Sequence, residues 1–122
     1  MQNSSKKTGD EGEYIARAHL VKQGYAILEA NWRYKKLEVD IIAKKDKCVV
    51  FVEVKTRKSD IFGEPEVFVT KQKQNFLIAA AGQYMIQNNL DLEARFDIIA
   101  ILQNNNNHTV KHLEDAFYPK LK

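Results

Sequence analysis

The sequence is poor in the residues that staple or break a chain. It holds one cysteine and two prolines in 122 residues. A single thiol, Cys48, excludes an internal disulfide and fits a reducing compartment. Long hydrophobic runs are missing as well. The one long stretch without charges, Asn75 to Leu90, is interrupted by Gln83, Gln87, Asn88 and Asn89, which argues against a membrane span. The opening segment MQNSSKKTGDEGE is polar and lacks an apolar signal region. These absences point to a cytoplasmic protein without a membrane partner. Neither GxGxxG nor GxxxxGK[ST] occurs, so no nucleotide cofactor is expected on such loops. With one Cys, and with His19, His108 and His112 out of ligand spacing, no zinc pattern forms.

What remains is enough for one core. Apolar residues make up 44% of the chain, too many for a disordered one. The net charge of +3 is only mildly basic. Its distribution says more. Basic residues cluster at Lys6-Lys7, Arg33 to Lys36, Lys44-Lys45-Lys47, Lys55 to Lys58 and Lys71-Lys73. The cluster at Lys44 to Lys47 reads as a solvated turn.

Residues 1–7 are expected to form a disordered tail, with one domain over 8–122. Thr8-Gly9-Asp10-Glu11 fits a capping box that starts a helix running to about Gln23, with Gly24 just past its end. Tyr14, Ala18 and Val21 are its expected apolar stripe, with Ile15 beside them. Strands are predicted at Tyr25–Asn31, Leu37–Ala43 and Cys48–Thr56, the last two rich in β-branched residues. Residues 58–69 contain Gly63 and Pro65 and read as a loop. A second helix over Thr70–Gln87 places Leu77, Ala80, Ala81, Tyr84 and Met85 at helical spacing. Strands near Arg95–Leu102 and Thr109–Glu114 follow, joined by an Asn104–Asn107 hairpin tip. The order αβββαββ makes an α/β domain with a mixed β-sheet flanked by helices.

One strand poses a problem. In FVEVKTR, Glu53, Lys55 and Arg57 alternate and so share one face. Burying an ion costs several kcal/mol unless something compensates it. Set against LEVDIIA in a hairpin with Ala43 facing Cys48, Asp40 faces Phe51 and Glu38 faces Glu53. Asp40 and Glu53 then become diagonal neighbours, roughly 7–8 Å apart or less. A one-residue slip would separate them, but the even turn length favours one face. Two such carboxylates can share a divalent cation, and hard oxygen donors favour Mg²⁺ or Mn²⁺. Lys55 could then orient a water or neutralise phosphoryl oxygens. An ion-pair network on a half-exposed sheet is the competing reading. Glu38 facing Glu53 would be repulsive without a cation.

Other positions also carry two readings. Glu13 lies one turn before Arg17, the spacing of a surface ion pair. Lys71 and Lys73 oppose the dipole of the helix they open, which phosphate binding would explain and a solvated helix start would tolerate. Arg57 could reach a DNA phosphate. Arg33, between Trp32 and Tyr34, could support backbone contacts, with Trp32 partly in the core. Asp97, two residues after Arg95, reads as a structural polar residue.

The chain resembles the bacterial YraN-like family, whose fold is restriction-endonuclease-like and distantly similar to archaeal Holliday junction resolvases. The resemblance rests on Gly12-Glu13 and Ala16, Gly24-Tyr25 with Ile27-Leu28, Asn31-Trp32-Arg33, Glu38-Val39-Asp40-Ile41-Ile42-Ala43, Val50 to Arg57, Arg95-Phe96-Asp97, and His112 to Phe117. It implies a PD-(D/E)xK core. Asp40 and Glu53 match the metal carboxylates, Val54 supplies a carbonyl ligand, Lys55 is the lysine, and Glu13 is an additional acid near the metal. Leu37 departs from the family's usual glycine. A Mg²⁺-dependent DNA endonuclease is the expectation, acting on branched or structured DNA by analogy. Arg33, Arg57, Lys71 and Lys73 would contact the nucleic acid. The alternative is a catalytically silent nucleic-acid-binding or partner-binding module on the same fold. A symmetric homodimer is compatible with either.

Overall fold

Among the described residues seven elements follow one another: α1 (Ser4–Lys22), β1 (Ala26–Tyr34), β2 (Leu37–Lys45), β3 (Cys48–Lys58), α2 (Lys71–Gln87), β4 (Glu93–Asn104) and β5 (Asn107–Phe117). The structure is a computed structural model, and residues 4–58 and 69–119 are described. The order αβββαββ is the one the sequence pattern predicts. Residues 59–68, most of the expected 58–69 loop, lie outside the described residues, as do 1–3.

The five strands form one mixed sheet in the order β1-β2-β3-β4-β5. Only β3 and β4 are parallel, and α2 makes the crossover between them. The other neighbours are antiparallel. Two-residue tips join them, with Lys35, Asp46 and Asn105 at positive φ. That geometry suits hairpins twisted like their strands. The strands outrun their expected lengths, with charged or polar ends on β2 and β3 and with Trp32, Tyr34 and Phe117 added on β1 and β5.

Each face of the sheet carries one helix and one core. On the α2 side, Val39, Ile42, Val49, Phe51, Phe96 and Ile98 pack with Leu77, Ala80, Ala81 and Tyr84. On the α1 side, Ile41, Ala43, Val50, Val52, Ile99 and Ile101 pack with Ala16, Leu20 and Tyr25. The buried positions expected on α2 are therefore in place, with Met85 half-buried beside them.

Helix α1 departs from expectation twice. It begins at Ser4, so Thr8 lies inside it and is not its cap. No proline precedes Thr8 to stop the helix from extending. Its expected stripe faces outward: Tyr14 is 67% exposed and Val21 58%, and Ala18 is exposed too. Gly12, Ala16 and Leu20 face the sheet instead. Small residues permit the close approach that a Tyr14 face would prevent. A Cβ on Gly12 would lie 2.1 Å from Thr56 Oγ1.

Both helices end in the same way. The N–H of Tyr25 reaches Leu20 O, and that of Gly24, at φ +94°, reaches Val21 O. Leu90 and Asn89 repeat the pattern on Met85 and Ile86. These are Schellman ends, with Gly24 and Asn89 in the left-handed position. Thr70 caps the start of α2 by accepting from Lys73 N–H at 3.1 Å. Among the described residues, no helix is long and apolar enough to cross a membrane.

Candidate metal and nucleic-acid site

The site grows from a defect in the sheet. The β2–β3 ladder runs from Lys45↔Cys48 to Ile41↔Val52 and stops there. Beyond it, β2 continues on β1 and β3 on β4. The Asp40 carboxylate occupies the break and accepts the Val54 N–H at 2.9 Å. Regular alternation fails at the same residue, since Val39 enters the α2-side core and Ile41 the α1-side core.

The expected register needs correction. Ala43 pairs with Val50 rather than Cys48, and Phe51 with Ile42 rather than Asp40. The turn has two residues where four were expected, so the register moves by an even step and keeps the parity. Continued one residue past its end, the ladder sets Asp40 level with Glu53. Glu38 does not face Glu53. It pairs across β1 with Arg33, at 3.6 Å.

Glu53 is 4% exposed. Its Oε2 lies 3.3 Å from Lys55 Nζ, and its Oε1 lies 3.8 Å from Lys73 Nζ on α2. That second contact is too long for a hydrogen bond, and Oε1 is buried without a hydrogen-bond partner. Burial, and next the Glu53 charge, push Asp40 up to about 7, against the opposing pull of the Val54 N–H and Lys73. Near neutral pH this carboxyl therefore holds a proton part of the time.

Glu13 stands on α1, on the other face of the sheet, near enough to Asp40 to feel its charge, and it follows Gly12, where α1 comes close to Thr56. Its carboxyl is half-buried, and its pKa is raised by burial and then by the Asp40 charge. A hydrogen bond with Asn31 and the charge of Arg17 act the other way. The helix-surface partner and the site partner thus both bear on Glu13.

The remaining expected residues spread outward. Arg57 continues the alternate positions of Glu53 and Lys55, and its Nη1 donates to Thr56 O at 2.9 Å. Lys71 is exposed at the start of α2, whereas Lys73 turns inward to Glu53. The Arg33 side chain is 72% exposed. Trp32 is partly buried and meets Tyr84 edge-on at 5.4 Å.

Carboxylate oxygens are the donor type a hard divalent ion takes. The Glu53 charge bears on Asp40, and one buried oxygen of Glu53 lacks a hydrogen-bond partner. Among the described residues, no three His, Cys, Asp or Glu side chains form a metal-binding group. An ion here would complete its shell from backbone oxygen, water or phosphate, as Mg²⁺ commonly does.

A second buried aspartate behaves in the opposite sense. Asp97 is fully buried. It accepts from Arg95 Nε at 2.9 Å and Nη2 at 2.7 Å, and from the Asp115 N–H at 3.0 Å. His112 Nε2 lies 2.7 Å away, and its Nδ1 is 3.2 Å from His19 Nε2. Arg95 also donates to the Tyr25 hydroxyl. Burial alone would raise the Asp97 pKa, but His112, Arg95 and the Asp115 N–H outweigh it and hold the carboxyl below its ordinary value. Arg95-x-Asp97 was legible as a structural pair. The histidines were not, because 93 residues separate His19 from His112.

Relatives share this chain almost from end to end. A UPF0102 protein of Flavobacterium psychrophilum is 49% identical over 110 residues, covering 90% of this chain and 92% of that protein. One from Flavobacterium johnsoniae is 47% identical over 114 residues, covering 90% and 93%. One from Trichlorobacter lovleyi is 45% identical over 116 residues, covering 93% and 91%. The family's sequence profile matches residues 12–101, a span that includes Glu13, Asp40, Glu53, Lys55 and Asp97. The chain belongs to the uncharacterised protein family UPF0102.

Proposed function

We propose that this chain is a metal-dependent nuclease of the restriction-endonuclease-like kind, hydrolysing DNA phosphodiesters, with branched or structured DNA as substrate. The observation that carries the reading is the buried Glu53 Oε1, without a hydrogen-bond partner beside a carboxyl raised to about 7. A purely structural ion-pair network would satisfy its acids, as Asp97 is satisfied.

Asp40, Glu53 and the Val54 carbonyl would hold Mg²⁺ or Mn²⁺. When bound, such an ion polarises a phosphoryl oxygen and lowers the pKa of a coordinated water. Lys55, whose ammonium already stands beside Glu53, offsets charge on the phosphate and orients the attacking water. Glu13, with its raised proton affinity, accepts a proton near that water. Arg33, Arg57 and Lys71 supply cations for backbone phosphates, whereas Lys73 is turned inward onto Glu53. Water adds across one P–O bond, leaving a phosphate monoester and an alcohol. A DNA substrate fits a cytoplasmic protein, and a two-fold dimer would present one site to each strand.

A second reading has its own observation. Lys55 and Lys73 already flank Glu53, so the fold stands without an ion, as a nucleic-acid-binding module would. The two are separated by incubating duplex, flap and four-way DNA with Mg²⁺ or Mn²⁺. Cleavage that disappears in Asp40→Ala, Glu53→Ala and Lys55→Ala is expected. Cleavage unchanged in all three variants would overturn the assignment. Salt-sensitive binding without cleavage in either metal would select the binding module.

A further inference from the structure

We infer that Tyr34, beside the tip of the β1–β2 hairpin, is the platform on which an unpaired base of the DNA stacks, with Arg33, Lys35 and Lys36 at the flanking phosphates. The inference deepens the nuclease reading and rests on its DNA substrate.

The stretch Trp32-Arg33-Tyr34-Lys35-Lys36 interleaves aromatic and basic residues. Trp32 and Tyr34 stand two apart on β1 and so share a face. Trp32 is anchored, since it packs against the α2-side core and meets Tyr84 edge-on at 5.4 Å. The Tyr34 ring lies nearly parallel to it, with 11° between the planes and 6.4 Å between the centroids. An anchored ring thus orients the outer one, and the outer one is only half-buried. Lys35 Nζ stands 5.4 Å from the Tyr34 centroid, within the range at which a ring draws a cation.

The charge around the rings selects the partner. Lys35 and Lys36 are exposed, and the Arg33 side chain is 72% exposed with Glu38 3.6 Å away. Three cations against Glu38 leave this end of the hairpin basic. Cations that track a backbone beside rings that take bases are the means of holding single-stranded nucleic acid.

The position suits the candidate metal site. Leu37, the partner of Tyr34, lies three residues before Asp40 on β2. At the rise of a strand that is roughly 10 Å, or about three nucleotide steps in a stacked strand. Glu53 opens on the same face as the rings, because Phe51 packs in the α2-side core and Lys73 of α2 reaches Glu53. A base held on Tyr34 places a branch point a few nucleotides from Asp40 and Glu53. A fully paired duplex has no free base to offer.

Binding is measured in EDTA, where metal-dependent cleavage is off, on a flap with 2-aminopurine at successive unpaired positions and on a blunt duplex. In wild type, quenching should peak at one position near the branch. Tyr34→Leu keeps an apolar side chain on Trp32 and should melt within a few degrees of wild type. It should lose that quenching and bind the flap about fivefold or more weakly, the scale of one lost base stack. Its blunt-duplex affinity and its salt slope should not change, because the phosphate contacts remain. Tyr34→Phe keeps the ring face and should keep both the quenching and the affinity. Equal losses on flap and duplex overturn the inference, as does quenching that is flat along the wild-type flap or unmoved in Tyr34→Leu. If cleavage in Mg²⁺ or Mn²⁺ survives those results, the nuclease reading stands without it. Quenching that follows Tyr34 with no cleavage in either metal fails the nuclease reading and keeps the stacking platform. A wild type that binds neither DNA overturns both.

Discussion

The backbone N–H of Val54 donates to the Asp40 carboxylate at 2.9 Å, where the ladder between β2 and β3 ends. Asp97 takes the Asp115 N–H in the same manner, beside a register shift between β4 and β5. The two aspartates thus do the same backbone work in one sheet. Arg95 and His112 hold Asp97 in its charged form, whereas Asp40 has the Glu53 carboxylate for a neighbour. One acid is held charged by its partners, and the other keeps its proton to a higher pH.

The difference should appear in stability against pH. The folded-state pKa of Asp40 is about 7, against an ordinary 3.8. Between those values the native state holds a proton that the unfolded chain releases, so this group costs native stability as pH rises through that window. The metal-free protein should therefore lose at most a few kcal/mol from this source by about pH 8. Asp40→Asn keeps an acceptor for Val54 and should remove the loss. Scanning calorimetry at several pH values, with and without Mg²⁺, checks it. Mg²⁺ should restore wild type near pH 8 and leave Asp40→Asn unmoved. An identical pH slope in the two proteins would rule the idea out.

Lys73 Nζ stands 3.8 Å from the Glu53 oxygen that lacks a hydrogen-bond partner, and it also lowers the proton affinity of Asp40. Lys73→Met keeps much of the side-chain stem and removes the charge. It should destabilise the metal-free protein by about 1–3 kcal/mol, the usual scale for leaving a buried charged group short of a partner. It should also tighten Mn²⁺ binding several-fold, because a competitor for Glu53 is gone. Isothermal titration measures the second effect, and weaker Mn²⁺ binding would mean that Lys73 assists the ion rather than competing with it.

Much of this was legible in the sequence, and the misses have physical causes. The even turn was legible and set β2 beside β3 with the expected parity, but the ladder stops at Ile41↔Val52, and the break that turns the Asp40 carboxylate to the Val54 N–H left no pattern in the sequence. Strand ladders also exposed Glu53, Lys55 and Arg57 as one face. The buried face of α1 was not legible, because hydrophobic periodicity gives weight to Tyr14 and Val21 and none to Gly12. What decided the packing was size, through the 2.1 Å clearance at Thr56. The inward turn of Lys73 could not be read either, since it depends on where α2 lies over β3.

Acid should loosen the other end of α1. His19, in the last turn of α1, is 3.2 Å from His112, which in turn contacts Asp97. Burial, then His112 and then Lys22 lower the pKa of His19 from 6.5. Its contribution to stability is therefore complete above 6.5 and is lost as pH falls below that value. Arg95, Asp97 and Glu114 are the other charged groups of this cluster, and Lys22 disfavours a positive charge on His19. His19→Gln removes the titrating ring and should flatten the decline in melting temperature between about pH 7 and pH 5. Hydrogen exchange should show the last turn of α1 opening in wild type over the same range. A decline of equal steepness in His19→Gln would exclude this contact as its source.

The approach of α1 to β3 is testable with a double-mutant cycle. In Gly12→Ala, the new methyl would stand 2.1 Å from Thr56 Oγ1, with Thr56 Cβ at an ordinary 3.5 Å. Either the Thr56 hydroxyl turns away or α1 lifts from the sheet and takes Glu13 with it. Overpacking of this kind costs about 1–3 kcal/mol. Thr56→Ala deletes the offending oxygen and leaves the Cβ where it is. The pair Gly12→Ala/Thr56→Ala should therefore recover the loss, with a coupling energy of about 1 kcal/mol or more in its favour. The better helix propensity of alanine, about 1 kcal/mol over glycine, would then raise the double variant toward or above wild type. Denaturant unfolding gives the four free energies, and Mn²⁺ affinity reports whether Glu13 has moved. Additive free energies would mean that the two residues do not meet as described. A single Gly12→Ala that unfolds later than wild type and binds Mn²⁺ normally would show that the close approach does not set the position of Glu13.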